Sequence, residues 1–158
     1  MTEKNLVNGE VDQKFQTLLS NANAARVISQ AIEGTIGPKG LDIMMVDKFG
    51  DVVISNDGVT ILKLMEVNHP AARMIINAAK AQQAEVGDGT TTATLLAGAM
   101  ISVGAEQVLK GVPVTKVIQG IAIGTEHCLE VIKSQSVKIE SLDDEKLLNV
   151  ALIAGRGE

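Results

Sequence analysis

From Phe15 onward apolar residues recur at helical spacing, as Phe15, Leu18, Leu19, Ala22, Ala25, Ile28 and Ile32. That is one face of an amphipathic helix, and Gly34 stops it. Residues 1–13 before it are polar and aperiodic, which predicts a flexible N-terminal arm or a strand that orders only against a neighbour. The pattern then changes period. Ile43 to Asp47 and Val52 to Ser55 are short β-like runs around Lys48-Phe49-Gly50-Asp51, a hairpin. An isolated two-stranded hairpin is marginal in water, so pairing with a further strand, from this chain or the next, is expected. Val59, Ile61, Leu62, Leu64 and Met65 form a short apolar stretch after Asn56-Asp57-Gly58. Pro70 opens a helix to Val86, with Met74, Ile75, Ala78, Ala79 and Ala81 facing a core. The next helix starts near Gly89 and runs to about Lys110, closed by Gly111. Val112-Pro113 opens another, with Val117, Ile118, Ile121, Ala122, Cys128, Leu129 and Ile132 along one side. Residues 135–140 read as extended, and Ser141 with Asp144 resembles a weak capping box. A final helix carrying Leu147, Leu148, Ala151 and Leu152 breaks at Gly155-Arg156-Gly157. The chain is therefore mainly α: five or six helices around an aliphatic core, with one small hairpin.

Composition narrows the function classes. Fourteen basic against nineteen acidic residues leave a net charge of −5, which argues against a nucleic-acid binder that neutralises phosphates. Phe15 and Phe49 are the only aromatic residues, so bases have no stacking platform. Cys128 is the only cysteine, which rules out an internal disulfide; its apolar neighbours predict a buried core thiol. Gly89 to Ala105 is uncharged, but it is rich in Gly, Thr and Ala and shorter than the about 20 strongly apolar residues a bilayer requires. A helix buried in protein, with no membrane partner, is the expectation. No hydrophobic leader pattern occurs in Met1 to Gln13, which points to a cytoplasmic chain. The 158 residues fit one domain.

The candidate chemistry sits in Gly87-Asp88-Gly89-Thr90-Thr91-Thr92, between two helical patterns. Glycines let a backbone approach a ligand closely, and a helix N-terminus offers free N–H groups and positive dipole to an anion. Asp88 would repel a bare phosphate, a conflict that a divalent cation between them removes. The competing reading is an ordinary turn in which Asp and Thr cap a helix. Thr35-Ile36-Gly37-Pro38-Lys39-Gly40 is either a second phosphate cradle or a rigid connector. It is not a Walker A loop, because Gly40 and neither Ser nor Thr follows Lys39. Asp57 either caps the following helix or is a second acid of a nucleotide site. His69, just before Pro70, reads as a polar boundary residue.

Taken together and in this order, TIGPKG at 35–40, NDGVTILK at 56–63, HPAA at 69–72 and EVGDGTTTATLLAG at 85–98 resemble the chaperonin family. The likeness runs from about Asn21 to the last residue and is greatest to the group II type and its bacterial relatives. The resemblance implies the equatorial domain, a helical ATP-binding and ring-contact domain, with residues 14–154 its N-terminal part and 155–158 the start of the hinge to an intermediate domain. It implies that Thr35, Ile36, Gly37 and Pro38 line the phosphates of ATP or ADP, and that Gly87, Gly89, Thr90, Thr91 and Thr92 bind them from the helix N-terminus. Asp88 would hold Mg²⁺, and Asp57 would position the attacking water near the γ-phosphate. The hairpin would pair between neighbouring subunits. The implied partners are copies of the same chain in stacked double rings and unfolded client proteins; the implied activity is ATP-driven protein folding. Arg156 stands where group II relatives commonly carry a lysine that senses γ-phosphate; by the resemblance it belongs to the same nucleotide site, keeping the charge but presenting a planar fork in place of a compact ammonium. The family's later equatorial segment and its intermediate and apical domains have no counterpart in these residues. Little turnover is therefore expected of them alone, and a non-catalytic helical assembly fragment is the alternative.

Overall fold

A computed structural model describes residues 13–154. Most of the expected N-terminal arm, the Gly155-Arg156-Gly157 break and the 155–158 hinge lie outside the described residues. Six helices and one antiparallel hairpin are seen among those described: α1 (Gln13–Glu33), β1 (Ile43–Val46), β2 (Val52–Ser55), α2 (Gly58–Leu64), α3 (Pro70–Glu85), α4 (Thr90–Leu109), α5 (Val114–Gln135) and α6 (Glu145–Ala154). They form two compact units, one ending at Pro113 and the other beginning at Val114.

In the first unit the core is built from Ala25, Ile28 and Ile32 of α1, Ile61 and Leu62 of α2, and Ala72, Ile75, Ile76 and Ala79 of α3. Small residues among the large ones let the helices approach closely, and nowhere more than between α1 and α4. There the Ser29 hydroxyl donates to its own helix at the Ala25 carbonyl (2.9 Å) and lies 3.3 Å from the Thr94 carbonyl of α4. A Cβ on Gly98 would fall 2.7 Å from the Ser29 Cβ and 3.4 Å from the Ala25 carbonyl oxygen. Thr94, beside this contact, is buried and bonds back to the Thr90 carbonyl. By length and composition α4 could cross a membrane. Here the helix expected to be buried in protein packs one side on α1 and α3, while Leu96, Met100 and Val103 are exposed.

Helix α3 begins at a side-chain cap. His69 Nδ1 accepts from the Ala71 N–H (3.3 Å), and its Nε2 lies 3.1 Å from the Ser20 hydroxyl of α1. An Nδ1 acceptor assigns the proton of the neutral ring to Nε2. The boundary histidine thus closes a helix end and ties it to α1. The buried face of α3 is Ala72, Ile75, Ile76 and Ala79. Met74, Ala78 and Ala81, expected in the core, are exposed, because the helical phase that buries Ile75 and Ala79 turns them outward.

In the hairpin β1 pairs with β2 in the register Ile43↔Ser55 to Val46↔Val52. The Asp47 carboxylate closes the loop by accepting the Phe49 and Asp51 N–H groups. Ile43 and Met45 pack on the core, whereas Met44, Val46, Val52 and Ile54 are exposed on the opposite face. No third strand joins the hairpin among the described residues.

In the second unit α5 and α6 bury no residue. This corrects the expectation that Ile118, Ile121, Leu129, Ile132 and Cys128 are core; all are exposed. The amphipathic stripe is present on α5, but a stripe becomes core only when a second apolar face covers it. Asp144, not Ser141, caps α6 by accepting the Lys146 N–H (2.9 Å), while Ser141 bonds the Asp143 N–H.

The Gly98 contact has a measurable consequence. Gly98→Ala should lower the unfolding free energy by about 1–3 kcal/mol, through overpacking against Ser29. Gly120→Ala in α5, where a Cβ meets nothing within 4 Å, should stabilise by up to about 1 kcal/mol. Urea midpoints of the two variants moving in the same direction would contradict this account of the α1–α4 contact.

Candidate functional site

The pairing of α1 with α4 decides which loops share an end of the bundle. Ala25 and Ser29 meet Gly98, and Ser29 also meets Thr94, so residue numbers rise along one helix as they fall along the other. One helical turn further, the C-terminus of α1 reaches the start of α4. The Thr35–Gly40 turn that follows α1 is thereby carried to the end of the bundle where the Gly87–Gly89 turn enters α4. In the first turn Gly37 has φ +85°, the Gly40 N–H donates to the Gly37 carbonyl (2.9 Å), and the Leu41 N–H donates to the Gly34 carbonyl (2.9 Å). A Cβ on Gly40 would lie 2.7 Å from the Thr35 carbonyl carbon, so this closure requires glycine. The Thr35 hydroxyl donates to Ile32 (2.8 Å), and Ile36 and Pro38 are exposed.

The start of α2 joins the same place. Gly58 is buried against Thr91, whose backbone N and Cα lie 3.2 Å from where a Gly58 Cβ would stand. Two helix N-termini, those of α2 and α4, therefore touch through a glycine. Asp57 caps α2: its Oδ2 accepts both the Thr60 N–H (3.0 Å) and the Thr60 hydroxyl (2.6 Å). The Asp57 N–H is in turn held by the Ser55 hydroxyl oxygen (3.1 Å). Both side-chain bonds fall on one oxygen, and no described residue bonds Oδ1. The cap and an acid facing a ligand are compatible in one residue.

At the start of α4, Gly87 and Gly89 take φ of +79° and +78°, conformations that side-chain-bearing residues disfavour. No side chain caps α4, although three threonines follow Gly89. Among the described residues no acceptor takes the N–H groups of Thr90, Thr91 and Thr92, which are open to solvent or a ligand. Thr90 is buried, Thr91 half-buried and Thr92 exposed. Asp88 is exposed, and its Oδ1 accepts the Gly89 N–H (2.6 Å). Oδ2 takes no bond from any described residue. Among the described residues no three His, Cys, Asp or Glu side chains gather into a metal cluster. An ion at Asp88 would thus have one protein carboxylate and draw its other oxygens from water or a ligand, a donor set that fits Mg²⁺ carried by phosphates.

Sequence reasoning singled out Asp57, Asp88 and the two glycine turns, and the fold brings α2 and α4 together there. It missed Gly58, Thr60 and Gln82. Thr60 could have been found as the third residue after a cap, and Gln82 as a long polar side chain in the last turn before a glycine pair. Gly58 carries no local signal, because its role is a contact with a residue 33 positions later. Arg156 lies outside the described residues.

Three comparisons bear on this geometry. The model of the TCP-1/cpn60 chaperonin family matches residues 28–158. The chain is 47% identical over 138 residues to thermosome subunit alpha of Archaeoglobus fulgidus, covering 87% of this chain and 25% of that protein. It is 45% identical over 139 residues to a thermosome subunit of Methanothermococcus thermolithotrophicus, covering 87% and 26%. A crystal structure of a group III chaperonin in the open state superposes with a TM-score of 0.85 at 53% identity, over 94% of this chain and 30% of that one. The chain thus spans about a quarter of the length of the curated relatives it matches.

The two readings of Asp57 separate by mutation. Asp57→Ala should cost about 1 kcal/mol of stability, through loss of the cap, whereas Asp57→Asn, itself a good cap, should unfold close to the parent. Chemical denaturation of both variants checks this; an equal loss would mean that the charge, and not the cap, holds α2.

Proposed function

This chain belongs to the TCP-1/cpn60 chaperonin family, and on that premise we propose that it carries the phosphate and Mg²⁺ half of an ATP site in a chaperonin subunit. The observation that carries the proposal is the meeting of the α2 and α4 N-termini at Gly58 and Thr91, with α4 uncapped and Asp88 beside it. Free N–H groups and the positive end of a helix dipole suit phosphate oxygens. In this reading Gly87, Gly89, Thr90, Thr91 and Thr92 hold the phosphates from one side, and Thr35, Ile36, Gly37 and Pro38 line the other. Asp88 supplies the one carboxylate for Mg²⁺, which when bound neutralises phosphate charge. Asp57, with Oδ2 held by Thr60, directs Oδ1 toward the water that attacks the γ-phosphate. A carboxylate is a weak base at neutral pH, so its work is chiefly orientation. Arg156 is assigned to the same site from its place in the sequence.

In the whole protein, ATP binding and hydrolysis would drive folding of non-native client proteins within stacked rings of like subunits. The hairpin supports the ring part of this reading. Its outward apolar face of Met44, Val46, Val52 and Ile54 and its unpaired strand edges suit pairing with a neighbouring subunit. The exposed stripe of α5 likewise suits burial against the later equatorial segment that the family resemblance implies. The second reading, a helical assembly element without nucleotide binding, is not favoured by the chaperonin relatives.

Calorimetric titration with Mg·ADP separates the two. Saturable binding that needs Mg²⁺ and is abolished by Asp88→Ala is expected, together with little phosphate release from ATP by residues 1–158 alone. Absence of any Mg²⁺-dependent heat would leave the assembly reading in its place.

A further inference from the structure

Resting on the half-site reading above, we propose that Gln82 is the positioning residue for the Asp88 carboxylate, acting through a single peptide plane. Gln82 lies in the last turn of α3, half-buried, and its side-chain Nε2 donates to the Asp88 main-chain carbonyl at 2.9 Å. That carbonyl and the Gly89 N–H are the two ends of one planar trans peptide, so they point in opposite directions. The carbonyl end is held by Gln82, and the N–H end donates to Asp88 Oδ1 at 2.6 Å. Fixing the first end therefore fixes where the second end aims, and with it where the engaged carboxylate oxygen sits. Oδ1 is committed to the backbone and Oδ2 is left for an ion.

The turn needs such a brace. Gly87 and Gly89 on either side of Asp88 have left-handed backbones, and glycine is the residue with the most alternative conformations open to it. Helix α4 has no side-chain cap of its own to hold the junction. Apart from its two chain neighbours, the described atom nearest to where a Gly89 Cβ would stand is Gln82 Nε2, at 3.5 Å. Among the described residues no other side chain outside the turn bonds to its backbone. The brace is neutral, so it orients the carboxylate without competing with the ion for its charge.

Gln82→Met keeps the length of the side chain and removes the donor, and Gln82→Glu keeps the shape but, ionised, can only accept. Each is to be titrated with ADP in Mg²⁺ and with ADP in EDTA, and the exchange rate of the Gly89 amide proton followed by NMR in the nucleotide-free chain. Loss of one hydrogen bond predicts about fivefold weaker Mg·ADP binding and a similarly faster Gly89 exchange. Binding of Mg²⁺-free ADP should match the parent, and the thermal midpoint should fall by no more than the few degrees that one hydrogen bond accounts for. Parent-like Mg·ADP affinity in both variants overturns the assignment, and so does an equal loss with and without Mg²⁺, which would mark a general collapse of the turn. A parent chain that ignores Mg·ADP overturns the half-site reading and this role with it. A parent that binds beside variants that bind equally well overturns the role of Gln82 alone.

Discussion

The contact on which the first unit depends is the close approach of α1 and α4 where Ser29 meets Gly98. It buries a serine hydroxyl, and burial of a polar group is tolerable only when its bonding is satisfied. Ser29 achieves this with the carbonyl of Ala25 in its own helix, and it reaches toward Thr94 in the other. The space comes from a glycine in the middle of a helix, a position where glycine ordinarily costs stability. Closeness here sets the register of the two helices and so delivers two glycine turns, 35–40 and 87–89, to one end of the bundle. The same device recurs at Gly58 against Thr91, where a missing Cβ lets one helix N-terminus rest on another.

Around that end the polar side chains perform local and functional work with the same atoms. Asp57 is a helix cap whose two bonds fall on one oxygen, and Asp88 likewise binds its own backbone through Oδ1. Each carboxylate is held by one oxygen, and no described residue bonds the other. A carboxylate anchored in this way is pre-oriented, and little side-chain entropy remains to be lost when a ligand or ion arrives. By contrast, apolar surface is left uncovered in both units. The outer face of the hairpin and the stripes of α5 and α6 are apolar and exposed, more than isolated surface hydrophobics require. Surfaces of this kind suit partners, whether neighbouring subunits or further segments of a longer chain.

Helix limits, the hairpin and its turn, and the glycine-rich candidate loops were legible in the sequence because each rests on near neighbours. Period sets the faces of α1, a proline starts α3, and glycines stop α1 and α4. The family likeness was legible because four short motifs recur in order. Burial was not equally legible. Periodicity identified the stripe of Ile118, Ile121, Leu129 and Ile132 but could not say whether anything covers it, and Cys128 is exposed for that reason. Met74 failed differently: both it and Ile75 are apolar, and only the phase of α3 against its neighbours decides which faces inward.

Where the chain turns, which residues carry acid or hydroxyl groups and which family it resembles all follow from local sterics and residue chemistry, and so from the order of residues alone. Tertiary structure alone decided that Gly58 lies on Thr91, that Gly98 admits Ser29, that His69 bonds Ser20 and that Gln82 holds the Asp88 carbonyl. All but the last join residues distant along the chain, and the last depends on how the end of α3 bends into α4. No local propensity encodes which pairs meet; that is settled only when the helices pack and the space left by an absent Cβ is filled by a particular neighbour.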